Sequence, residues 1–177
     1  MMETASWEDF FADISENIFL LLDGVAIPTL WSTLHSIEKK VECVPLYLKT
    51  EFSALLDISP YLVHVEKASP LLRAFHGDPR FSRSGIVFIS SENLQALKAR
   101  LSDMLTVLTP SHNEMFFRFY DPAVLEFLVR AEETSLLDTV RGPARWVAWL
   151  SPSGKDSPAV DAITFYPAKG GDHAGNQ

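Results

Sequence analysis

A few charged residues set beside apolar runs are the places where this sequence could do chemistry. Asp23 follows directly on Leu20-Leu21-Leu22 and precedes Gly24. Phosphatases carrying Asp-x-Asp-Gly place a carboxylate nucleophile two residues before such an Asp. Leu21 stands at that position, and an apolar side chain cannot form an aspartyl-phosphate. Asp23 therefore reads as a cap or as the partner of an arginine. The segment Phe117-Arg118-Phe119-Tyr120-Asp121-Pro122 is richer. Read as a strand, it puts Phe117 and Phe119 on one face and Arg118 and Tyr120 on the other. An arginine there is costly to bury unless a carboxylate meets it. Asp121 before Pro122 has the form of a helix N-cap. Arg100, between Leu97 and Leu101, is another cation beside apolar positions. The expectation is a structural ion-pair cluster of Asp23, Arg100, Arg118 and Asp121. The same four residues at one sheet edge are where a small enzyme could be built.

Other routes to chemistry fail on residue type. No Gly-x-Ser-x-Gly elbow is present, so a serine hydrolase of the α/β type lacks its first requirement. Gly154-Lys155 resembles the end of a phosphate loop, but Trp149 takes the place of the leading glycine and Asp156 that of the Ser or Thr. The five histidines, His35, His64, His76, His112 and His173, form no close ligand pair. Cys43 is the sole cysteine, so no intrachain disulfide forms and a reducing compartment fits. The expectation is no catalytic residue, no metal and no cofactor. A net charge of −8 argues against nucleic acid and against an anionic membrane surface. Acidic residues near the start (Glu3, Glu8, Asp9) and the shortness of the apolar run Ile18 to Leu22 argue against a signal peptide and a membrane span. The chain is expected to be soluble and cytoplasmic.

These residues need elements to position them. Ser6 could cap a short helix with Glu8 and Asp9 in its first turn. Ile18 to Leu22 has no polar alternation, so it reads as a central strand covered on both faces. A helix with Leu30, Leu34 and Ile37 follows, then strands at Val44 to Leu48 and Tyr61 to Val65. Ser69-Pro70 caps a helix with Leu71, Leu72 and Phe75 inward. Gly77 to Gly85 is rich in breakers and reads as a mobile loop, followed by a strand at Ile86 to Ile89. Ser91 opens a helix with Leu94, Leu97, Leu101 and Met104 at helical spacing. Thr106 to Leu108 pairs with Met115 to Tyr120 around Pro110 to Asn113. Asp121-Pro122 starts a helix with Leu125, Leu128 and Val129 inward, and Arg145 to Leu150 pairs with Ala162 to Tyr166. Alternating strands and helices imply an α/β layered fold. The later hairpins imply a mixed sheet flanked by helices rather than a purely parallel one. One domain over residues 1–167 and a disordered polar tail over 168–177 follow.

Four stretches carry a resemblance: Leu20-Leu21-Leu22-Asp23-Gly24, Ser59-Pro60-Tyr61-Leu62-Val63, Leu97-Lys98-Ala99-Arg100-Leu101 and Phe117 to Pro122. In order and spacing they resemble the domain-of-unknown-function family of adaptor chaperones in bacterial type VI secretion, from about Ile18 to Trp149. That family has a strand ending Leu-Asp-Gly, a Pro-Tyr-Leu-Val strand, a His-Leu-Arg helix and an Arg-Phe-Tyr-Asp-Pro corner. The chain departs from the pattern at Lys98-Ala99-Arg100, where only the arginine is kept. The resemblance implies a non-enzymatic protein. Its partners would be a toxin effector, bound in the producing cell, and the valine–glycine-repeat spike onto which that toxin is loaded. An immunity-like protein that binds a toxin to inhibit it is an alternative.

Two surfaces are candidates for the partner. Trp146, Trp149 and Tyr166 lie on late strands, and such aromatics anchor interfaces when exposed and fill the core when not. Arg80 and Arg83 lie in the Gly77 to Gly85 loop, where a basic patch could steer an acidic partner.

Overall fold

The computed structural model describes residues 2–4, 7–151 and 162–168. The expected cap at Ser6, the Gly154-Lys155 pair, His173 and the tail from residue 169 onward lie outside the described residues.

Seven strands form one sheet: β1 (Met2–Thr4), β2 (Asn17–Leu22), β3 (Glu42–Pro45), β4 (Tyr61–Val65), β5 (Gly85–Ser90), and two late strands, Trp146–Ser151 and Ala162–Pro167. A separate hairpin joins β6 (Thr106–Leu108) to β7 (Glu114–Phe116), which makes the late strands β8 and β9. The order across the sheet is β1-β9-β8-β5-β2-β4-β3. The α/β layered reading holds, but the sheet is not mixed: all its described pairs are antiparallel. The physical reason lies in where β4 goes. Strands β2 and β3 run in the same direction on either side of a helix, as a βαβ unit should, but β4 inserts between them and pairs antiparallel with both. Local alternation of elements shows the crossover and not the strand that later fills the gap.

Both faces of the sheet carry helices, which explains the unbroken apolar strands. Strand alternation sends Phe19 and Leu21 of β2, Ile86 and Phe88 of β5, and Val147 and Trp149 of β8 to one face. There they meet α5 (Leu94–Ser102), α6 (Pro122–Arg130) and α7 (Thr134–Arg141), the last an element the sequence reading lacked. Ile18, Leu20 and Leu22, with Val87, Ile89 and Ala148, point the other way. They pack on α1 (Trp7–Ala12), α2 (Leu30–Ile37) and α3 (Pro70–Gly77). From Ile18 to Leu22 no residue of β2 is more than 2% exposed, as a central strand between two helical layers requires.

Local chemistry sets several boundaries. Ser69 Oγ accepts from the Leu71 and Leu72 amides, with Pro70 in the first turn of α3. Gly77 to Gly85 is not a loop: Asp78 caps the short helix α4 (Pro79–Ser82), whose Phe81 is buried. Its breakers, Asp78 and Pro79, are the cap and first-turn residues of a second helix. Asn93 rather than Ser91 caps α5, accepting from the Ala96 amide at 2.9 Å. The second strand is Glu42–Pro45 rather than Val44 to Leu48, because the chain turns from Leu46 to Thr50. Ser53–Ile58 is a 3-10 helix.

Candidate functional site

The end of β2 and the corner 117–122 meet in one polar knot. The Asp23 carboxylate is buried, at 3% exposure. One of its oxygens accepts from the Val25 amide at 2.8 Å, and the other lies 2.5 Å from a guanidinium nitrogen of Arg118. The same arginine reaches Asp121 at 3.8 Å, three residues along, and lies over the Tyr120 ring at 5.8 Å. Asp121 accepts from the Ala123 amide at 2.9 Å and so caps α6. Burial lowers the Arg118 value; the adjacent Asp23 carboxylate, together with Tyr120 and Asp121, outweighs it and holds the guanidinium above its ordinary range. Beneath it, the Tyr47 and Tyr120 hydroxyls are 2.9 Å apart in the core. Burial is the main cause that raises both phenols above their ordinary value.

The corner is not the strand that its alternation suggests. The hairpin strand β7 stops at Phe116, and the next residues turn. Phe117, Phe119 and Tyr120 are then all buried while Arg118 stays half-exposed. A strand would have exposed Tyr120 beside Arg118. The turn lets three aromatic side chains enter one core and leaves the arginine to reach Asp23.

Arg100 does not join this knot. It lies on α5 and pairs with Glu92 at 3.0 Å, through two guanidinium nitrogens, while a third donates to the Val140 carbonyl at 3.0 Å. Its guanidinium lies flat against Gly142, a glycine at φ 56° whose Cβ would sit 2.6 Å from an Arg100 nitrogen. The expected four-residue cluster is therefore two separate locks, with Glu92 as the missing partner. Glu92 is two residues past the end of β5, and only the fold brings it beside the last turn of α5.

The expected partner-binding residues divide. Trp149 is 0% exposed and its indole N–H donates to Glu126 at 2.7 Å, so it is core and not surface. Ser151 and Thr164 continue that network through short hydroxyl contacts. Trp146 is half-buried, edge-on to Phe165 with Arg145 over its ring. The Tyr166 hydroxyl donates to Asp138 at 3.1 Å. Arg80 is exposed and folds back on Asp78 at 2.6 Å, and Arg83 is exposed. Trp149 misleads because its strand is covered on both faces, where an aromatic fills space.

One surface escapes sequence reading. Leu55 and Ile58 of the 3-10 helix are 46% and 42% exposed, and Leu108 and Phe116 of the hairpin are 69% and 41% exposed. Ile58 lies near Gly24, next to Asp23, and Phe116 is two residues before Arg118. Gly24 lies against the Ile58 and Ser59 backbone, where a Cβ would meet the Ser59 carbonyl oxygen at 2.2 Å. The Phe116 ring packs 4.9 Å from Phe52 and 6.1 Å from Tyr47. Exposure of this kind has no local signal, because the same residues would suit a core.

Among the described residues, no group of three or more His, Cys, Asp or Glu side chains could hold a metal ion. No helix among them is long and apolar enough to cross a membrane.

Comparison with known proteins adds what the geometry lacks. The family model described as "Domain of unknown function (DUF4123)" matches residues 18–136. That interval contains all four motif stretches and the Asp23–Arg118 knot. A relative is "Accessory protein VasW" of Vibrio cholerae serotype O1, 26% identical over 106 residues, or 60% of this chain. The match spans 35% of that relative's length. No solved structure gives a significant match. With a family match over more than half its length, ending within α7, the chain belongs to the DUF4123 family.

Proposed function

We propose that this chain is an accessory protein of bacterial type VI secretion. As an adaptor it binds a toxin effector in the cytoplasm of the producing cell and helps load it onto the valine–glycine-repeat spike, without catalysis. The observation that carries the reading is the family match over residues 18–136, which coincides with the ordered motifs from Leu-Asp-Gly to Arg-Phe-Tyr-Asp-Pro. The likeness to an accessory protein of Vibrio cholerae supports it. The chemistry of the motifs agrees. Asp23, Arg118 and Asp121 each hold a backbone amide or one another, so the knot fixes a corner of the scaffold. A rigid scaffold that carries exposed apolar residues beside such a corner suits a binding protein.

The test is to co-express a candidate toxin effector with its spike protein, with and without the chain, and to recover the spike. Toxin that depends on the chain for solubility and for recovery with the spike is the expected result. Equal recovery in both cases would overturn the adaptor reading.

A further inference from the structure

The exposed apolar residues lie on two elements that Phe52 links. Leu55 and Ile58 project from one side, on the 3-10 helix. Phe116 and Leu108 project from the other, on a shared face of the β6–β7 hairpin set by strand alternation. Phe52 joins the two sides by ring contact with Phe116. A cleft of about 420 Å³ opens beside Phe52 and Thr106.

Charge around this face is mostly negative. Glu51 adjoins Phe52, Asp57 adjoins Ile58 and Glu114 lies opposite Leu108, all three exposed. Asp103 adds another carboxylate in the cleft. Lys49 and Lys98 oppose them there, and the Lys98 ammonium donates to the Leu48 carbonyl at 2.6 Å, which leaves four carboxylates against two ammonium groups. The chain as a whole carries −8. Apolar residues with an excess of neighbouring carboxylates match a helix with an apolar stripe and Lys or Arg along its flanks.

We infer that the face formed by Leu55, Ile58, Leu108 and Phe116 docks a basic amphipathic segment of a partner protein. The inference rests on the adaptor reading and names the chemistry of the partner's contact segment. This face is separate from the Arg80 and Arg83 segment, where Arg80 pairs with Asp78 within its own turn.

The probe is an amphipathic helical peptide of Leu and Lys, with its Leu and Glu counterpart as control, titrated into the full chain by fluorescence anisotropy. The Leu/Lys peptide is expected to bind at least about tenfold tighter, and to weaken as salt rises. The double variant Leu55→Ser, Leu108→Ser should lose about tenfold in affinity at unchanged Tm, because both side chains already face water. Should the double variant melt early, Leu108→Ser alone gives the same readout from the more exposed position. Equal binding of the two peptides, or full affinity in the variant, would overturn the inference. So would sedimentation showing a wild-type dimer that the variant disperses, because a second copy would then cover the face. Wild-type loading of toxin by the double variant in cells would remove this surface and leave the adaptor function standing. Toxin that loads without the chain would remove the function, while peptide preference still decides the surface chemistry.

Discussion

The hydroxyls of Tyr47 and Tyr120 meet at 2.9 Å in the core, across 73 residues of chain. This contact ties the turn after β3 to the corner that starts α6, directly beneath the Arg118–Asp23 ion pair. Removing either hydroxyl leaves a buried partner without its bond. Tyr120→Phe should therefore lower stability by about 1 kcal/mol in urea denaturation. A loss below a few tenths would mean that the pair contributes no net stability.

Alkali should act on the same pair. Both phenols are raised above their ordinary value, chiefly by burial, so the folded state favours the protonated form. Once the pH passes the unfolded value near 10, the unfolded chain ionises first and stability falls, by up to about 1.4 kcal/mol per pH unit for each group. Below pH 10 neither group contributes to the slope. Tyrosinate absorbance should show Tyr47 and Tyr120 ionising together with loss of far-ultraviolet circular dichroism. Their free titration in the folded protein would contradict the burial argument.

Arg118→Ala strands the nearly buried Asp23 carboxylate. A fully buried broken pair costs more, but Arg118 is 41% exposed and water can partly solvate the gap. The expected loss is about 2 kcal/mol. Asp23→Ala removes the carboxylate and the Val25 amide contact together and should cost at least as much. An Arg118→Ala protein with wild-type urea midpoint would show that the pair is not structural.

Gly24→Ala should be among the most damaging small substitutions. The new Cβ would sit 2.2 Å from the Ser59 carbonyl oxygen and 2.9 Å from the Ile58 backbone, and backbone cannot rotate away. A loss of about 3 kcal/mol or more is expected, read as low soluble yield or an early melt. At Gly142→Ala the three nearest atoms belong to the flexible Arg100 side chain, but φ is 56°, so about 1–2 kcal/mol is expected there. The reverse ranking would place the critical approach at the wrong glycine.

Trp149 and Trp146 should behave differently. Trp149→Ala empties a fully buried site and frees the Glu126 carboxylate, at a cost of about 4 kcal/mol. Trp146→Ala at a half-buried position should cost about half that. Equal melting temperatures for the two variants would refute the assignment of Trp149 to the core.

Much of the scaffold was legible in the sequence because its determinants are local. The unbroken run Ile18 to Leu22 announced a strand covered on both faces, and β2 is that strand. Ser69-Pro70 and Asp121-Pro122 announced helix starts, because a side-chain acceptor followed by proline satisfies the first turn without help from elsewhere. The ordered motifs announced the family, which needs no tertiary information at all.

What only the tertiary structure decided is everything that depends on distant segments meeting. Sequence shows that β2, α2 and β3 follow one another; only folding shows that β4 enters between the two strands and makes each described pair of the sheet antiparallel. Sequence shows Arg100 and Arg118 as cations beside apolar positions. The fold gives Glu92 to the first and Asp23 to the second, because an ion pair is selected by distance in space and not by spacing along the chain. The same holds for exposure. Trp149 and Leu108 are both large apolar residues on strands, and nothing local separates them. Helices on both sheet faces bury Trp149 entirely, while Leu108, on the small separate hairpin, is 69% exposed among the described residues. Burial belongs to the layers around a residue, and those layers exist only once the chain has folded.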